Sequence, residues 1–265
     1  MIKMIATDMD GTFLDDEKKF DIEFLDIYFR LKDKGIKFVI ASGNQYYRLY
    51  QKFLPMSEDM YFIAENGSYI AAGTTELYCD VINKQDVKDI LNVINQFSLF
   101  TVVCGKKGAY ALSKDFDKKD IIKTYYCNYS FINSFNEIDD DIIKIAIYDD
   151  NETIDKYLEQ VKDLLPERVK VVTAGNTWMD VQNKTINKGI GIKFLQHIYD
   201  ISPDECMAFG DQMNDYELLQ SVKYGYATAN AVEPIKEIAY DITLSNQQQG
   251  VISKIKEVIF NNEEW

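Results

Sequence analysis

The feature that most constrains this chain is an interior strand that ends in charge. The stretch "IATDMDGTFL" (residues 5–14) offers Ile5, Ala6 and Met9 to a core, yet sets Asp8 and Asp10 almost side by side at its end. An unpaired buried carboxylate is costly, and a like charge beside it adds to the cost. Such a strand is tolerable only where its end opens onto something that supplies compensating charge. The flanking sequence provides the means to build that place. Short apolar strands, "MIKMIATD", "IKFVIASG" (36–43) and "CMAFG" (206–210), alternate with helical patterns over 21–35, from about Asn44, over 188–199 and over 215–222. "YFIAENGSYI" (61–70) reads as a strand with an Asn-Gly hairpin turn. "YGYATAN" and "YDITLS" read as short strands around the helix "VEPIKEIA", and a closing helix begins near Gly250. Buried strands separated by amphipathic helices predict an α/β fold, a parallel sheet with helices on both faces.

The middle of the chain follows another rule. Between 84 and 186, helices ("QDVKDILNVINQF", "ETIDKYLEQVKDLL") mix with closely spaced, alternating strands ("FTVVCG", "AYALS", "IIKIAIYDD", "VKVVTAG", "TWMDVQN"). That pattern predicts an antiparallel α+β unit. The 265 residues therefore divide into a discontinuous core, 1–83 and 187–265, and an inserted domain, 84–186.

Charge narrows the choice of partner. A formal net charge of −14 argues against nucleic acid, whose binding needs clustered Lys and Arg. A small anion remains compatible if a local cation reverses the field. Cys79, Cys104, Cys127 and Cys206 are widely spaced without a CxxC pair, as expected of thiols in a reducing cytoplasm. No apolar run approaches membrane-spanning length, so the expectation is a cytosolic protein with no membrane partner.

In open α/β sheets, ligands bind beyond the carboxyl ends of the strands. Asp8–Thr12, Ser42-Gly43-Asn44 and Gly210–Asp215 fall at such ends, and Asn187-Lys188-Gly189 opens a helix. Each has a plainer explanation alone: a turn for Asp-x-Asp-Gly-Thr, an N-cap for Ser42, Asn214 or Asp215, a solvated surface for Lys188. A calcium loop fails on spacing, since Phe13 falls where Gly is required and Lys19 where Glu belongs. Taken together, Asp8, Asp10, Asp211 and Asp215 would bring four carboxylates into one cleft with Lys188 as their evident cation. Two like charges about 4 Å apart cost roughly 4 kcal/mol at an effective dielectric of 20. An all-oxygen set without His or Cys suits Mg²⁺ shared with a phosphoryl group.

The order DxDGT, Ser after the second strand, Lys, and late GDxxND resembles the haloacid dehalogenase-like phosphatases over essentially the whole chain. "ENG" (65–67) and "QQQGVISKI" (247–255) resemble their Cof-type branch, in which the insertion is a large α/β cap on a Rossmann-like core. "KFVIASGNQYYRL" (37–49) is similar to bacterial sugar phosphatases of that branch, although many members have Arg where this chain has Asn44. The resemblance implies that Asp8 is the nucleophile, Asp10 the general acid and then base, and that Thr12 holds Asp10 by a hydrogen bond. It implies that Ser42, Gly43, Asn44, Lys188 and Asn214 hold phosphate. Asp8, Asp10 (through its main-chain carbonyl) and Asp211 would bind Mg²⁺, with Asp215 in the metal shell. The implied activity is hydrolysis of small phosphorylated metabolites such as sugar phosphates. A sugar phosphomutase using the same nucleophile and a non-catalytic sugar-phosphate-binding module remain alternatives. His197, the only histidine, reads as structural. Tyr46, Tyr47 and Tyr50 read as helix packing, and Trp178 and Asp180 as core or surface of the insertion, or as contacts to sugar hydroxyls.

Overall fold

A computed structural model describes residues 1–151, 153–174 and 177–261 and divides the chain into two units. The first comprises Met1–Gly43, Leu49–Leu77 and Asn187–Trp265. Its sheet runs in the order Asp241–Ile242, Tyr224–Ala227, Cys206–Gly210, Met4–Thr7, Lys37–Ala41, Tyr61–Ala64, Tyr69–Ala72, Thr75–Cys79. The first six strands pair in parallel, and Tyr69–Ala72 turns back antiparallel on Tyr61–Ala64. Met4–Thr7 lies centrally and is wholly buried, which explains its lack of alternation. Phe24–Asp33, Lys188–Ile198 and Gly250–Ile259 are the longer helices that accompany this sheet.

Immediately after Thr12 the chain is pinned by an aromatic cluster. Phe13 is buried with its ring centroid 4.7 Å from Phe24 and 5.9 Å from both Phe38 and Phe53. Phe13 and Leu14 both donate their backbone N–H to Met9 O, folding the acidic loop back on itself. Apolar burial thus fixes the loop in which the charged residues stand.

The second unit comprises Asn44–Arg48 and Tyr78–Ile186. Its sheet runs Val169–Ala174, Trp178–Asn183, Ile142–Tyr148, Phe100–Gly105, Ala109–Leu112, Tyr129–Ile132, antiparallel except for the last pair. Alternation sorts its faces. Val103, Ile145, Ile147, Met179 and Val181 pack with Ile90 and Ile94 of the helix Lys84–Ile94 and with Ile154 and Val161 of Ile154–Val161. Val102, Cys104, Ala146 and Trp178 pack with Ile122 and Tyr126 on the other face.

The expected fold class is the observed one. The hairpin expected over 61–70 is formed, Tyr61–Ala64 pairing antiparallel with Tyr69–Ala72 across a four-residue turn, Glu65–Ser68, that holds the Asn-Gly pair. Local differences have physical causes. The helix expected over 152–165 is Ile154–Val161; Glu152, and Gly175 at the end of the strand expected over 169–175, lie outside the described residues. Thr75–Cys79 and Tyr129–Ile132, edge strands with little apolar alternation, have no counterpart in the sequence reading, and neither does the helix Lys119–Tyr125. The passage into the long inserted segment, expected at 83/84, falls at 77/78. Ile82 is part of the second unit's core, its N–H donates to Ile142 O, and Asn183 bonds Asp80. Residues 44–48 group there because Gln45 bonds Cys127 and Asn128 and the Tyr47 hydroxyl donates to Lys106 O. Among the described residues no helix is long and apolar enough to cross a membrane.

Candidate active site

Strand register brings the polar motifs together at one rim of the first unit. Thr7 pairs with Ile40 on one side and Phe209 on the other. The next residue of each strand's path therefore leads into Asp8, the Ser42 loop and the Asp211 loop. Asp8 N–H continues the ladder, donating to Phe209 O at 3.0 Å. Gly11 turns the chain at φ +86°, and a Cβ there would sit 2.6 Å from Asp211 Oδ2, so only glycine passes so close to that carboxylate.

Lys188 is the centre of the charge arrangement. Asn187 caps its helix, Oδ1 accepting from Ile190 N at 2.8 Å, and Lys188 is fully buried at the first turn. Its Nζ donates to Asp8 Oδ1 at 2.5 Å and to Asp215 Oδ1 at 2.6 Å. Asp215 Oδ2 in turn accepts from the N–H groups of Asp211 (3.0 Å) and Gln212 (3.1 Å), so this carboxylate secures both the lysine and the loop. Thr12 Oγ1 donates to Asp211 Oδ1 at 2.6 Å. The bond expected between Thr12 and Asp10 is therefore not made: the threonine's one proton goes to Asp211. Asp10 is about a third exposed and pairs with Lys18 at 3.1 Å. Ser42 is buried, its N–H donating to Ile63 O. Asn214 is half-buried and its Nδ2 donates to Asn66 Oδ1 at 3.4 Å.

The electrostatics are unbalanced. Burial pushes the Asp8 carboxyl well up, Asp215 and Asp211 push it further, and the Lys188 ammonium pulls it back. Burial and Asp215 raise Asp211, against the lowering bond from Thr12. Burial alone would lower Lys188, but Asp215 and Asp8 together hold it above the usual lysine range, and it stays charged. Asp8, Asp211 and Asp215 offer carboxylate oxygens all within 4.8 Å of one another. Three ionised carboxylates against one ammonium would leave two negative charges in a buried place. The donor set is all oxygen, and it fits a hard divalent cation such as Mg²⁺. The carboxylate of Asp10 is not part of this cluster.

With that geometry described, comparison with known proteins decides the family. The family model described as haloacid dehalogenase-like hydrolase matches residues 5–255. The chain belongs to the haloacid dehalogenase-like hydrolases. It is 30% identical over 261 residues to the 5-amino-6-(5-phospho-D-ribitylamino)uracil phosphatase YbjI of Escherichia coli, covering 97% of this chain and 96% of the relative. It is 25% identical to phosphatase YwpJ of Bacillus subtilis, covering 97% and 100%. SMU.1108c of Streptococcus mutans has a similar structure, with a TM-score of 0.88, 28% identity and coverage of 98% and 100%. A phosphoric monoester hydrolase is the enzyme that this membership and these relatives support.

The remaining residues considered from the sequence are divided between the two units. Asn44 groups with the second unit. His197 is exposed on the helix Lys188–Ile198, and Tyr50 packs its ring 6.2 Å from Phe62. Trp178 joins the second unit's core beside Tyr125 and Tyr148, and buried Asp180 pairs with buried Lys144 at 3.2 Å. Asn66, which the sequence marks as a turn and as part of the Cof-type "ENG" but not as a site residue, is brought against Ser42, Gly43 and Asn214. An Asn-Gly pair signals a bend, and nothing local signals what the Asn side chain will touch.

Proposed function

We infer that this enzyme is a cytoplasmic, Mg²⁺-dependent phosphatase of small phosphorylated metabolites, sugar phosphates and related polyol phosphates, acting through an aspartyl-phosphate on Asp8. One observation carries the reading. Asp8 is buried with Oδ1 held by Lys188 Nζ at 2.5 Å, while its Oδ2 takes no hydrogen bond from a described residue. That leaves one oxygen oriented and available as a nucleophile.

Asp8 Oδ2 attacks phosphorus in line, and the bond from phosphorus to the leaving alcohol oxygen breaks as protonated Asp10 gives that oxygen its proton. Asp10, now a carboxylate beside Lys18, then takes a proton from water as the water oxygen attacks phosphorus. Inorganic phosphate leaves and Asp8 is regenerated. Lys188 offsets charge spread over the transferring group, and Ser42, Gly43 and Asn214 hold its oxygens. Asp8, Asp211 and the Asp10 main-chain carbonyl would hold Mg²⁺, with Asp215 behind them; bound there, the ion polarises phosphoryl oxygens and offsets the carboxylates. The substrate class is supported by the name of the YbjI relative, a phosphatase of a phosphorylated ribityl compound, and by that of an HMP-PP phosphatase of Escherichia fergusonii, 26% identical over 247 residues. The location is supported by four cysteines that stand as thiols, not disulfides.

The test is phosphate release from a panel of sugar, sugar-alcohol and nucleotide monophosphates by the pure protein and by Asp8→Asn. Release that is strongest on sugar-type esters, and lost in a folded Asp8→Asn protein, is expected. Turnover by Asp8→Asn near the wild-type rate rules out the nucleophile, and isomerisation of a sugar phosphate without phosphate release replaces hydrolase by mutase.

A further inference from the structure

The turn after Tyr61–Ala64 is held in an unusual backbone shape. Glu65, Asn66 and Gly67 have φ of +50°, +56° and +108°. Non-glycine residues in the left-handed region cost roughly 1–2 kcal/mol each, Asn being among those that tolerate it best. Glycine would relieve position 66, yet the residue there is Asn with only 6% of its surface exposed.

Its contacts account for the choice. Asn66 N–H donates to Ser42 O at 3.0 Å. Its Oδ1 accepts from Asn214 Nδ2 at 3.4 Å. The carboxamide also lies flat over Gly43, where an added Cβ would sit 3.0 Å from Oδ1 and 3.3 Å from Nδ2. The turn packs against the helix that opens with Lys188. One side chain thus meets both loops assigned to phosphate, one following the strand Lys37–Ala41 and the other following Cys206–Gly210. It is neutral, which matters beside three carboxylates and an anionic substrate: an acid would add repulsion, and an amide braces without charge.

We propose that Asn66 is a positioning residue for phosphoryl binding, its carboxamide bracing Asn214 and closing over the Ser42-Gly43 backbone to set the span between the two loops. The assignment rests on the phosphatase reading of the same site but has its own consequences. Asn66→Gly suits the backbone angle, so the fold is kept while the brace is lost. Asn66→Asp also tolerates the angle and keeps an acceptor for Asn214, but places a negative charge beside the anion.

Inorganic phosphate affinity is measured by calorimetry with Mg²⁺ present, alongside KM and kcat for p-nitrophenyl phosphate and the melting temperature. Asn66→Gly is expected to melt no lower than the wild type, yet to bind phosphate about tenfold more weakly and raise KM similarly, because Asn214, without its brace, loses its hydrogen bond to the anion. Asn66→Asp is expected to weaken phosphate binding at unchanged melting temperature. In a double-mutant cycle, Asn66→Gly combined with Asn214→Ala is expected to lose clearly less than the sum of the two single losses, because part of the Asn66 effect runs through that amide. Wild-type phosphate affinity and KM in either Asn66 variant, or additive losses in the double variant, overturn the proposal. A wild-type protein that binds phosphate in an Asn66-dependent way but turns over no ester counts against the phosphatase reading and leaves Asn66 in place. A wild type that binds no phosphate overturns both.

Discussion

Thr12 has one hydroxyl proton to give, and it gives it to Asp211 at 2.6 Å. Burial raises the Asp211 carboxyl and this hydrogen bond lowers it, so Thr12 favours the ionised form of the residue proposed as a cation ligand. Thr12→Val fits the same buried volume without the hydroxyl. The expected outcome is a half-saturating Mg²⁺ concentration about tenfold higher, with kcat at saturating Mg²⁺ changed far less, the loss of one hydrogen bond to a charged acceptor. An unchanged Mg²⁺ requirement, read from activity against metal concentration, would show that Thr12 does not act through Asp211. Single-residue roles were only partly legible in the sequence. The gathering of Asp8, Lys188, Asp211 and Asp215 followed from placing polar motifs at the ends of parallel strands. Thr12's partner did not, because Asp10 is two residues away in sequence while Asp211 is 199 away. Nor did the role of Asp215 in holding Lys188, since pairing of side chains depends on rotamers that no spacing fixes.

At the scale of elements, long periodic segments and buried strands were readable, and the edge strands Thr75–Cys79 and Tyr129–Ile132 were not. The strand Met4–Thr7 is apolar because both its faces are covered, whereas Thr75–Cys79 is largely exposed and lacks the pattern that would mark it. The hairpin at Asn66 was visible as an Asn-Gly pair, but its four-residue turn is set by bonds to Ser42 and Asn214, which are distant in sequence. An equally distant bond secures the second unit. Asp86, in the first turn of the helix Lys84–Ile94, accepts from Arg168 Nε at 2.9 Å and Nη2 at 2.7 Å, tying that helix to the start of Val169–Ala174. Asp86 is buried, and the Arg168 hydrogen bond holds its carboxyl below the ordinary value. A folded-state pKa below the unfolded one contributes stability above the unfolded value of about 3.9, and that contribution fades as pH falls through the folded one. Because the Arg168 side chain is 70% exposed, Asp86→Asn should cost only about 1 kcal/mol at pH 7. Denaturant unfolding followed against pH should show the wild type and Asp86→Asn converging once pH falls below the lowered folded-state pKa of Asp86. A gap that stays constant down to that pH would mean the pair contributes through packing and not charge.

For the molecule as a whole, the formal net charge of −14 sets the field into which an anionic substrate must come, and the buried cluster concentrates that field at one point. With its three carboxylates ionised, the cluster of Asp8, Asp211 and Asp215 around Lys188 would carry two excess negative charges, and folding without a cation would work against itself there. Binding of Mg²⁺ to the folded state alone should therefore stabilise the whole protein, by about 2.7 kcal/mol at a concentration 100 times the dissociation constant. Chelation should abolish phosphate release and Mg²⁺ should restore it. The stability measurement asks more, because repulsion and ligation predict opposite signs for one substitution. Asp211→Asn removes one of the three charges, and its amide still accepts from Thr12. In chelator, this variant should melt higher than the wild type, since the repulsion is relieved. With Mg²⁺ the order should reverse, since the variant has lost a ligand and gains little from the ion. If Asp211→Asn melts below the wild type in chelator as well as in Mg²⁺, the carboxylates are already neutralised within the protein, by protonation or by Lys188, and the charge imbalance is not what calls for the metal.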